Sequence, residues 1–394
     1  MNNNFDAIIL GAGAAGMMCA FTAGRRGKRV LLLDHADQPG AKILISGGGR
    51  CNFTNTGVEP SRFFSGNPHF ARSALSRYTQ HDFIALVEKH RIPYHEKTLG
   101  QLFCDGSARA IVGLLLDECE AVGVDLRLRH RIIDVTRAEA FRVETDRGTF
   151  TAPALVLATG GLSIPKMGAT GLSLDLARRF GLPVVETRPA LVPLTFGEAD
   201  LALMRPISGV SLPVEAGVGK VRFREAMLFT HRGLSGPAIL QISTPWRPGE
   251  AVTLDLLPDL DAVAWLLARK EERPKAALHT VLAERLPQRL ASALVQTRLA
   301  QHTRPAGELG NKALKEVAAL LKGMALTPTG TEGYAKAEVM AGGVDTAALS
   351  SQTMVAKDVP GLHVIGEAVD VTGWLGGYNF QWAWSSGWCA GQSV

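Results

Sequence analysis

One stretch near the amino terminus constrains the fold more than any other. Asp6-Ala-Ile-Ile-Leu10 is an apolar run followed at once by Gly11-Ala-Gly-Ala-Ala-Gly16 and then by small and apolar residues as far as Gly24. The run predicts a buried strand, and the glycines predict a turn into a helix that Gly27 ends. Arg29-Val-Leu-Leu-Leu33 predicts a second buried strand closing on Asp34. In such a strand, turn, helix, strand unit each glycine has its own task. Gly11 permits the tight turn, Gly13 lets a pyrophosphate approach the backbone, and Gly16 lets helix and strand pack closely. The anion would sit on backbone N–H groups at the helix start, at Ala14, Ala15 and Gly16, because the helix dipole alone supplies only about 0.3–1 kcal/mol. Asp34, with His35 beside it, is placed to accept hydrogen bonds from a ribose diol. The first inference is an adenine dinucleotide; the competing reading is a glycine-rich turn in an ordinary parallel sheet.

At 394 residues the chain is long enough for two or three domains and a large core. Its five cysteines are odd in number, scattered, and never spaced as Cys-x-x-Cys, which points away from a disulfide framework and from structural zinc and fits a reducing cytoplasm. No metal site is expected. Met1-Asn-Asn-Asn has no positive region, and no apolar stretch is long and glycine-poor enough to span a membrane, so a soluble protein is expected. A net charge of +5 would suit an anionic cofactor or partner, yet Lys and Arg are spread along the chain without a polybasic block. RNA is permitted by that charge, whereas DNA is not expected.

Further glycine-rich segments follow. Residues 39–55 place Gly47, Gly48 and Gly49 between two polar clusters, a composition that cannot pack as helix or strand. It suits backbone lying against a flat or charged ligand, with Lys42, Ser46, Arg50, Asn52 and Asn55 as donors. Helical spacing covers 70–90 and 108–122. Residues 126–135 and 141–151 predict two strands joined as a hairpin through 137–140, with Ile133 among the cofactor-binding candidates. A buried strand then runs into Ala158, Thr159, Gly160 and Gly161, and a short helix covers 172–180. From 182 to 258 the texture is β-prone and predicts a barrel-like or sandwich-like region, whereas 259–322 predicts three or four packed helices broken at Pro274, Pro287 and Pro305. Residues 337–344 and 361–366 return to strands. The glycine-rich tail is expected to fold back onto the amino-terminal unit. The expected division is 1–185 with 340–394 as the cofactor domain, 186–258 with 325–339 as a β-barrel-like insert, and 259–324 as a helical domain.

A second glycine-rich segment at the far carboxyl end argues for a flavin rather than a nicotinamide as the bound group. Gly366-Glu367-Ala-Val-Asp370 places a helix start and an acid where they could meet a ribityl chain and pyrophosphate. Gly376, Gly377, Tyr378, Asn379 and Gln381 would bring backbone and side chains to the ring edge. At this point the residues resemble a known family, the BaiN/RdsA (YhiN-like) NAD(P)/FAD-dependent oxidoreductases. The resemblance covers nearly the whole chain and is carried by Ser46-Gly-Gly-Gly-Arg-Cys-Asn52 with Asn55, Ala158-Thr-Gly-Gly161, Phe229-Thr-His-Arg-Gly-Leu-Ser-Gly-Pro237, Ala341-Gly-Gly-Val344 and Gly376-Gly-Tyr-Asn-Phe-Gln-Trp-Ala-Trp384. It implies an α/β fold with a Rossmann-like, glutathione-reductase-type FAD domain, an inserted β-barrel-like domain and a helical domain. It also implies tightly bound FAD, its pyrophosphate on Gly11, Gly13 and Gly16, its ribose on Asp34 and its flavin beside residues 46–52, Cys51 included. The chain departs from the family pattern in three places: Asp34 stands where Glu is usual, Gly100-Gln-Leu-Phe-Cys104 replaces a Gly-Arg-hydrophobic-Phe-Pro stretch, and Gly171 is followed by Leu-Ser where Asp-Gly is common.

A flavin passes hydride, so the protein must orient an acceptor and supply the matching proton. The candidates for that proton are His231, Tyr378 and Cys104, with a hydrogen-bonded loop histidine as the plain reading of His231. Trp382, Trp384 and Trp388 read equally as a cofactor wall or as core. Without a second Gly-x-Gly-x-x-Gly unit, NADH or NADPH would bind only transiently over the flavin. The resulting expectation is an FAD-dependent oxidoreductase acting on an activated C=C bond of a small-molecule substrate, the bond type being implied by the family alone. The alternatives are uridine reduction to dihydrouridine in structured rRNA or tRNA, amine oxidation, and a non-catalytic flavoprotein whose redox state controls a partner.

Overall fold

The computed structural model describes residues 4–394. The chain forms two compact units, one running from the amino terminus to Arg188 together with Val339–Val394, and one comprising Pro189–Glu338. The first is built on a five-stranded sheet in the order Leu362–Val364, Ala154–Leu157, Ala7–Leu10, Val30–Leu33, Asp125–Arg127. Every pairing in it is parallel, with Ile8 opposite Leu155 on one side and Leu31 on the other. The three central strands are buried at every position, as a sheet covered on both faces requires.

The helix Ala14–Gly24 is buried at every residue from Ala15 onward. Its main partner is the carboxyl-terminal helix Tyr378–Gly391, and glycine makes the approach possible. A Cβ on Gly387 would lie 2.5 Å from the Ala15 carbonyl oxygen, and one on Gly391 would lie 2.7 Å from that of Cys19. The tail therefore does fold back onto the opening unit, adding Leu362–Val364 to the parallel sheet, pairing Thr372–Gly373 with Phe63–Phe64 and packing Tyr378–Gly391 on the first helix.

Five local readings need correction. The span 39–55 does hold regular structure, the helix Ala41–Ile45 and the strand Asn52–Asn55 on either side of the glycine run. Gly366–Ala368 is a short 3-10 turn, not the start of a helix. Residues 126–135 are not one strand: Asp125–Arg127 extends the parallel sheet beside Val30–Leu33, Arg129 turns the chain at φ 57°, and Ile132–Arg137 begins a separate antiparallel sheet. Residues 141–151 are likewise two strands, Phe141–Thr145 and Gly148–Ala152, folded on each other. Residues 70–90 are two helices, Phe70–Arg77 and Gln80–Lys89, because Thr79 accepts from Asp82 N–H while the Asp82 carboxylate accepts from Thr79 N–H.

The second unit carries a seven-stranded antiparallel sheet ordered Met324–Leu326, Val252–Asp255, Ser211–Val218, Val221–Phe229, Gly233–Ser235, Leu194–Thr195, Gly330–Thr331. The helices Ala262–Glu272, Leu278–Leu282, Gln288–Thr297 and Asn311–Lys322 belong to the same unit. Asp261 caps the first of them with two hydrogen bonds of 3.0 Å, and Leu256 N–H donates to Leu321 O, joining sheet to helix. Among the described residues no helix is long and apolar enough to cross a membrane, and no cluster of His, Cys, Asp or Glu is arranged to hold a metal.

Candidate cofactor and active site

Three strands release their chains at the same edge of the parallel sheet. Gly11 N–H donates to Leu33 O at 2.7 Å, Ala158 N–H to Leu10 O at 2.9 Å, and Ile365 N–H to Leu157 O at 3.1 Å. The turn 11–16, the segment 158–161 and the segment 366–370 therefore leave the sheet side by side at its carboxyl edge, where ligands of doubly wound sheets bind. Gly11 has φ 108°, and a Cβ there would meet Ala158 O at 2.5 Å; a Cβ on Gly16 would stand 1.9 Å from Gly11 O. Gly13 differs: it is the N-cap of Ala14–Gly24, no side chain caps that helix end, and a Cβ on it meets nothing within 4 Å. The turn is thus closed wherever chain must pack on chain and open where a phosphate would lie, with the N–H groups of Ala14, Ala15 and Gly16 at the helix start. These residues fit a pyrophosphate.

Asp34 ends the second strand. Its Oδ2 accepts from Ala12 N–H at 2.7 Å and its Oδ1 from Ala36 N–H at 2.9 Å, so the carboxylate is drawn toward the glycine turn. His35 Nδ1 lies 3.5 Å from Asp34 Oδ1, and the imidazole is half exposed. Ile133, on the outer antiparallel sheet, is 57 % exposed. Thr159 and Ser173 bond through their hydroxyls at 2.7 Å, fixing the segment that leads to Gly160 and Gly161. Gly366 abuts Ala15, its position for a Cβ being 3.0 Å from the alanine methyl carbon.

Ser46–Gly49 forms a short turn in which Gly47, Gly48 and Gly49 all have positive φ, and the strand Asn52–Asn55 follows. Nothing lies within 4 Å of a Cβ on Gly48, whereas one on Gly47 would meet the Phe103 ring at 2.7 Å. Ala108 N–H anchors the turn at Gly49 O, and Arg50 is exposed. Cys51 is buried, and burial pushes its thiol up to about 12. With its side-chain amide assigned in the orientation its neighbours satisfy, Asn52 accepts from Gly377 N–H at 3.2 Å and donates to Thr54 O at 3.1 Å. Asn55 donates to Leu99 O at 3.0 Å and to Gly376 O at 2.9 Å. These two asparagines clamp the glycine pair of the tail, with φ 108° and 97°, against the amino-terminal segment.

Lys42 Nζ donates to Ser163 Oγ and to Glu367 Oε2, each at 2.5 Å, while Glu367 Oε1 accepts from Ser163 Oγ at 2.7 Å and from Met340 N–H at 2.8 Å. Burial opposes the Glu367 charge, but Lys42 and the other donors outweigh it and hold the carboxyl below its ordinary range. Asp370 is buried and accepts from Gly66 N–H at 2.9 Å; burial raises its pKa. Tyr378, buried at the start of the last helix, accepts from Arg62 Nη1 at 2.5 Å. Asn379 binds both backbone groups of Gly373. Gln381 is fully buried, accepting from Thr54 Oγ1 and donating to Tyr78 O.

The remaining candidates divide between the two units. Cys104 is buried next to Cys51, and burial lifts its thiol to about 11. His231 is on an exposed turn of the second unit, where Thr230 N–H donates to Gly233 O. Trp382 and Trp384 are core: their indole N–H groups donate to Gly366 O and Phe53 O, and Trp384 stacks on Phe83 at 4.2 Å. Sequence reading passed over Ser163, Arg62 and the Met340 N–H. The one available signal was a polar side chain just beyond a glycine pair, at Ser163.

The family model described as the HI0933-like protein Rossmann domain matches residues 5–393. The chain is 51 % identical over 401 residues to the "Ribosomal RNA dihydrouridine synthase" of Escherichia coli (strain K12), covering 99 % of this chain and 98 % of that protein. It is 45 % identical to the protein of the same name from Haemophilus influenzae (strain ATCC 51907 / DSM 11121 / KW20 / Rd), over 100 % of this chain and 99 % of that one. It is 30 % identical to the "3-dehydro-bile acid delta(4,6)-reductase" of Clostridium scindens (strain ATCC 35704 / DSM 5676 / VPI 13733 / 19), over 98 % of each chain. With its cradle, its returning tail and these full-length matches, the chain belongs to the HI0933-like Rossmann family, the BaiN/RdsA group of FAD-dependent oxidoreductases.

Proposed function

We propose that this protein reduces the C5=C6 bond of uridine in ribosomal RNA, forming dihydrouridine. The observation that carries the reading is the 51 % identity, over 99 % of the chain, to a ribosomal RNA dihydrouridine synthase. The glycine turn at the carboxyl edge of the parallel sheet supports the cofactor requirement that such a reduction has. Bound FAD would supply the hydride when reduced. The balance is uridine plus NAD(P)H plus one proton giving dihydrouridine plus NAD(P)+. Hydride is added at C6, a proton at C5, and the nicotinamide is oxidised.

In this reading the chain's own residues bind, orient and protonate. Gly13 to Gly16 would hold the pyrophosphate, Asp34 the ribose, and residues 46–52 with Gly376 and Gly377 the flavin. The ion pair of Lys42 with Glu367 ties the helix Ala41–Ile45 to the segment after Leu362–Val364. The proton is assigned to one of His231, Tyr378 and Cys104, the candidate acids that the sequence offers. NADH or NADPH would visit without a binding domain of its own. We place the protein in the cytoplasm, where its five free, buried cysteines stay reduced.

Purified protein should be yellow, and anaerobic NADPH or NADH should bleach it. Deleting the gene should remove one dihydrouridine from rRNA, measured by mass spectrometry, and persistence of every dihydrouridine would refute the RNA substrate. His231→Ala should retain flavin and slow only reoxidation by substrate if His231 is the acid; unchanged turnover assigns the proton elsewhere. The 30 % relative named for a bile acid reduction favours a second reading, an activated C=C in a small molecule. A wild-type enzyme that oxidises its flavin with a steroid enone and leaves rRNA unmodified would select it.

A further inference from the structure

The hairpin Tyr94–Glu96 with Gln101–Cys104 carries an anomaly at its tip. Gln101 N–H donates to Thr98 O at 3.1 Å and Lys97 N–H to Gln101 O at 2.9 Å. The two residues in between, Leu99 and Gly100, have φ 53° and 78°. Two consecutive positive φ values across a hydrogen-bonded two-residue loop mark a type I′ turn, whose first central position favours Asn, Asp or Gly. Gly100 obeys the rule: a Cβ there would meet Thr56 Oγ1 at 2.5 Å and Asn55 Oδ1 at 2.6 Å. Leu99 does not, and most of its surface is left unpacked. It is 66 % exposed, against 57 % for Ile133 and 44 % for Ile45. A single exposed leucine is ordinary, but one held in the left-handed region and also left in water has no folding reason to be leucine.

The tip is rigidly attached to the candidate site. One amide nitrogen, that of Asn55, donates to both Leu99 O and Gly376 O, and Thr56 N–H donates to Gly100 O at 2.8 Å. Lys97 Nζ lies 5.4 Å from the centre of the Phe103 ring, and Phe103 in turn underlies Gly47 of the Ser46–Gly49 turn. An apolar side chain and a cation thus project from one short turn beside both glycine segments of the site.

We propose that Leu99 is a wedge that enters the base stack of the RNA and keeps the target uridine turned out, with Lys97 on the adjacent phosphate. The inference rests on the rRNA reading above. A base held in a stack cannot be reached by a redox ring, so it must be unstacked, and apolar wedges are a general means of holding the gap open. The anchoring through Asn55 sets that gap beside the glycine pair.

The test compares FAD-loaded wild type, Leu99→Asn and Leu99→Met on rRNA from a strain lacking the gene. Leu99→Asn suits the turn better, so its thermal midpoint and flavin content should equal or exceed those of wild type. Its rate of dihydrouridine formation should nevertheless fall at least about tenfold, while Leu99→Met retains most of the wild-type rate. An rRNA fragment with 2-aminopurine beside the target uridine should brighten with wild type and not with Leu99→Asn. A Leu99→Asn rate within about twofold of wild type, or an equal loss in Leu99→Met, overturns the wedge. Wild-type protein that forms no dihydrouridine at all overturns the substrate reading itself, which is a different result.

Discussion

Gly13 and Gly16 are three residues apart, yet their substitutions should fail for different reasons. A methyl group at Gly16 stands 1.9 Å from Gly11 O, so Gly16→Ala should lose about 2–3 kcal/mol of stability in denaturant melts of the flavin-free protein. At Gly13 the methyl meets nothing within 4 Å, so Gly13→Ala should change that stability by less than about 0.5 kcal/mol. It should instead weaken FAD at least about tenfold in a fluorescence titration, because the methyl occupies the phosphate's approach. His363 sets a pH dependence. It is buried on the strand Leu362–Val364, and burial lowers its pKa from 6.5 to about 4. As pH falls the unfolded chain takes up the proton first, so stability is full above about 6.5, declines through the window, and levels off below about 4. The whole decline is about 3 kcal/mol, and melts of His363→Gln should be flatter across that window. Legibility at this scale was uneven. The glycine spacing announced Gly11, Gly13 and Gly16, whereas His363 looked like any residue of a short apolar run.

The elements that matter most are the first helix and the last. A Cβ at Gly387 comes within 2.5 Å of Ala15 O, so Gly387→Val must push the helix Ala14–Gly24 away from Tyr378–Gly391. The expected cost is about 3 kcal/mol in a melt, with reduced flavin content, because the displaced helix carries the phosphate cradle at its start. Unchanged flavin with lowered stability would show that the cradle does not depend on the tail. Strands and helices with a strong period were legible. The extent and partner of Asp125–Arg127 were not, because all three of its residues are only half-buried and its place depends on pairing with Val30–Leu33. Nor was the break at Thr79, whose capping side chain interrupts apolar spacing that continues on both sides.

For the whole molecule, cofactor removal gives the clearest expectation. Free FAD at about 1,000 times its Kd should stabilise the unit that binds it by about 4 kcal/mol. The unit Pro189–Glu338, expressed alone, should fold colourless and melt at a midpoint that FAD does not move. A midpoint that rises with FAD would assign part of the cofactor's binding to that unit. By itself the sequence determined the opening strand, turn and helix, the acid at Asp34 and the glycine segments around 47, 160 and 376, because turn geometry is written in neighbouring residues. Only the tertiary structure decided how the polar side chains are used. Asn55 is committed to Gly376, 321 residues away, and Lys42 to Glu367, 325 residues away. A hydrogen bond's donor is visible in the chain, but its acceptor is chosen by packing, which also sets a strained leucine on a turn beside the glycine pair.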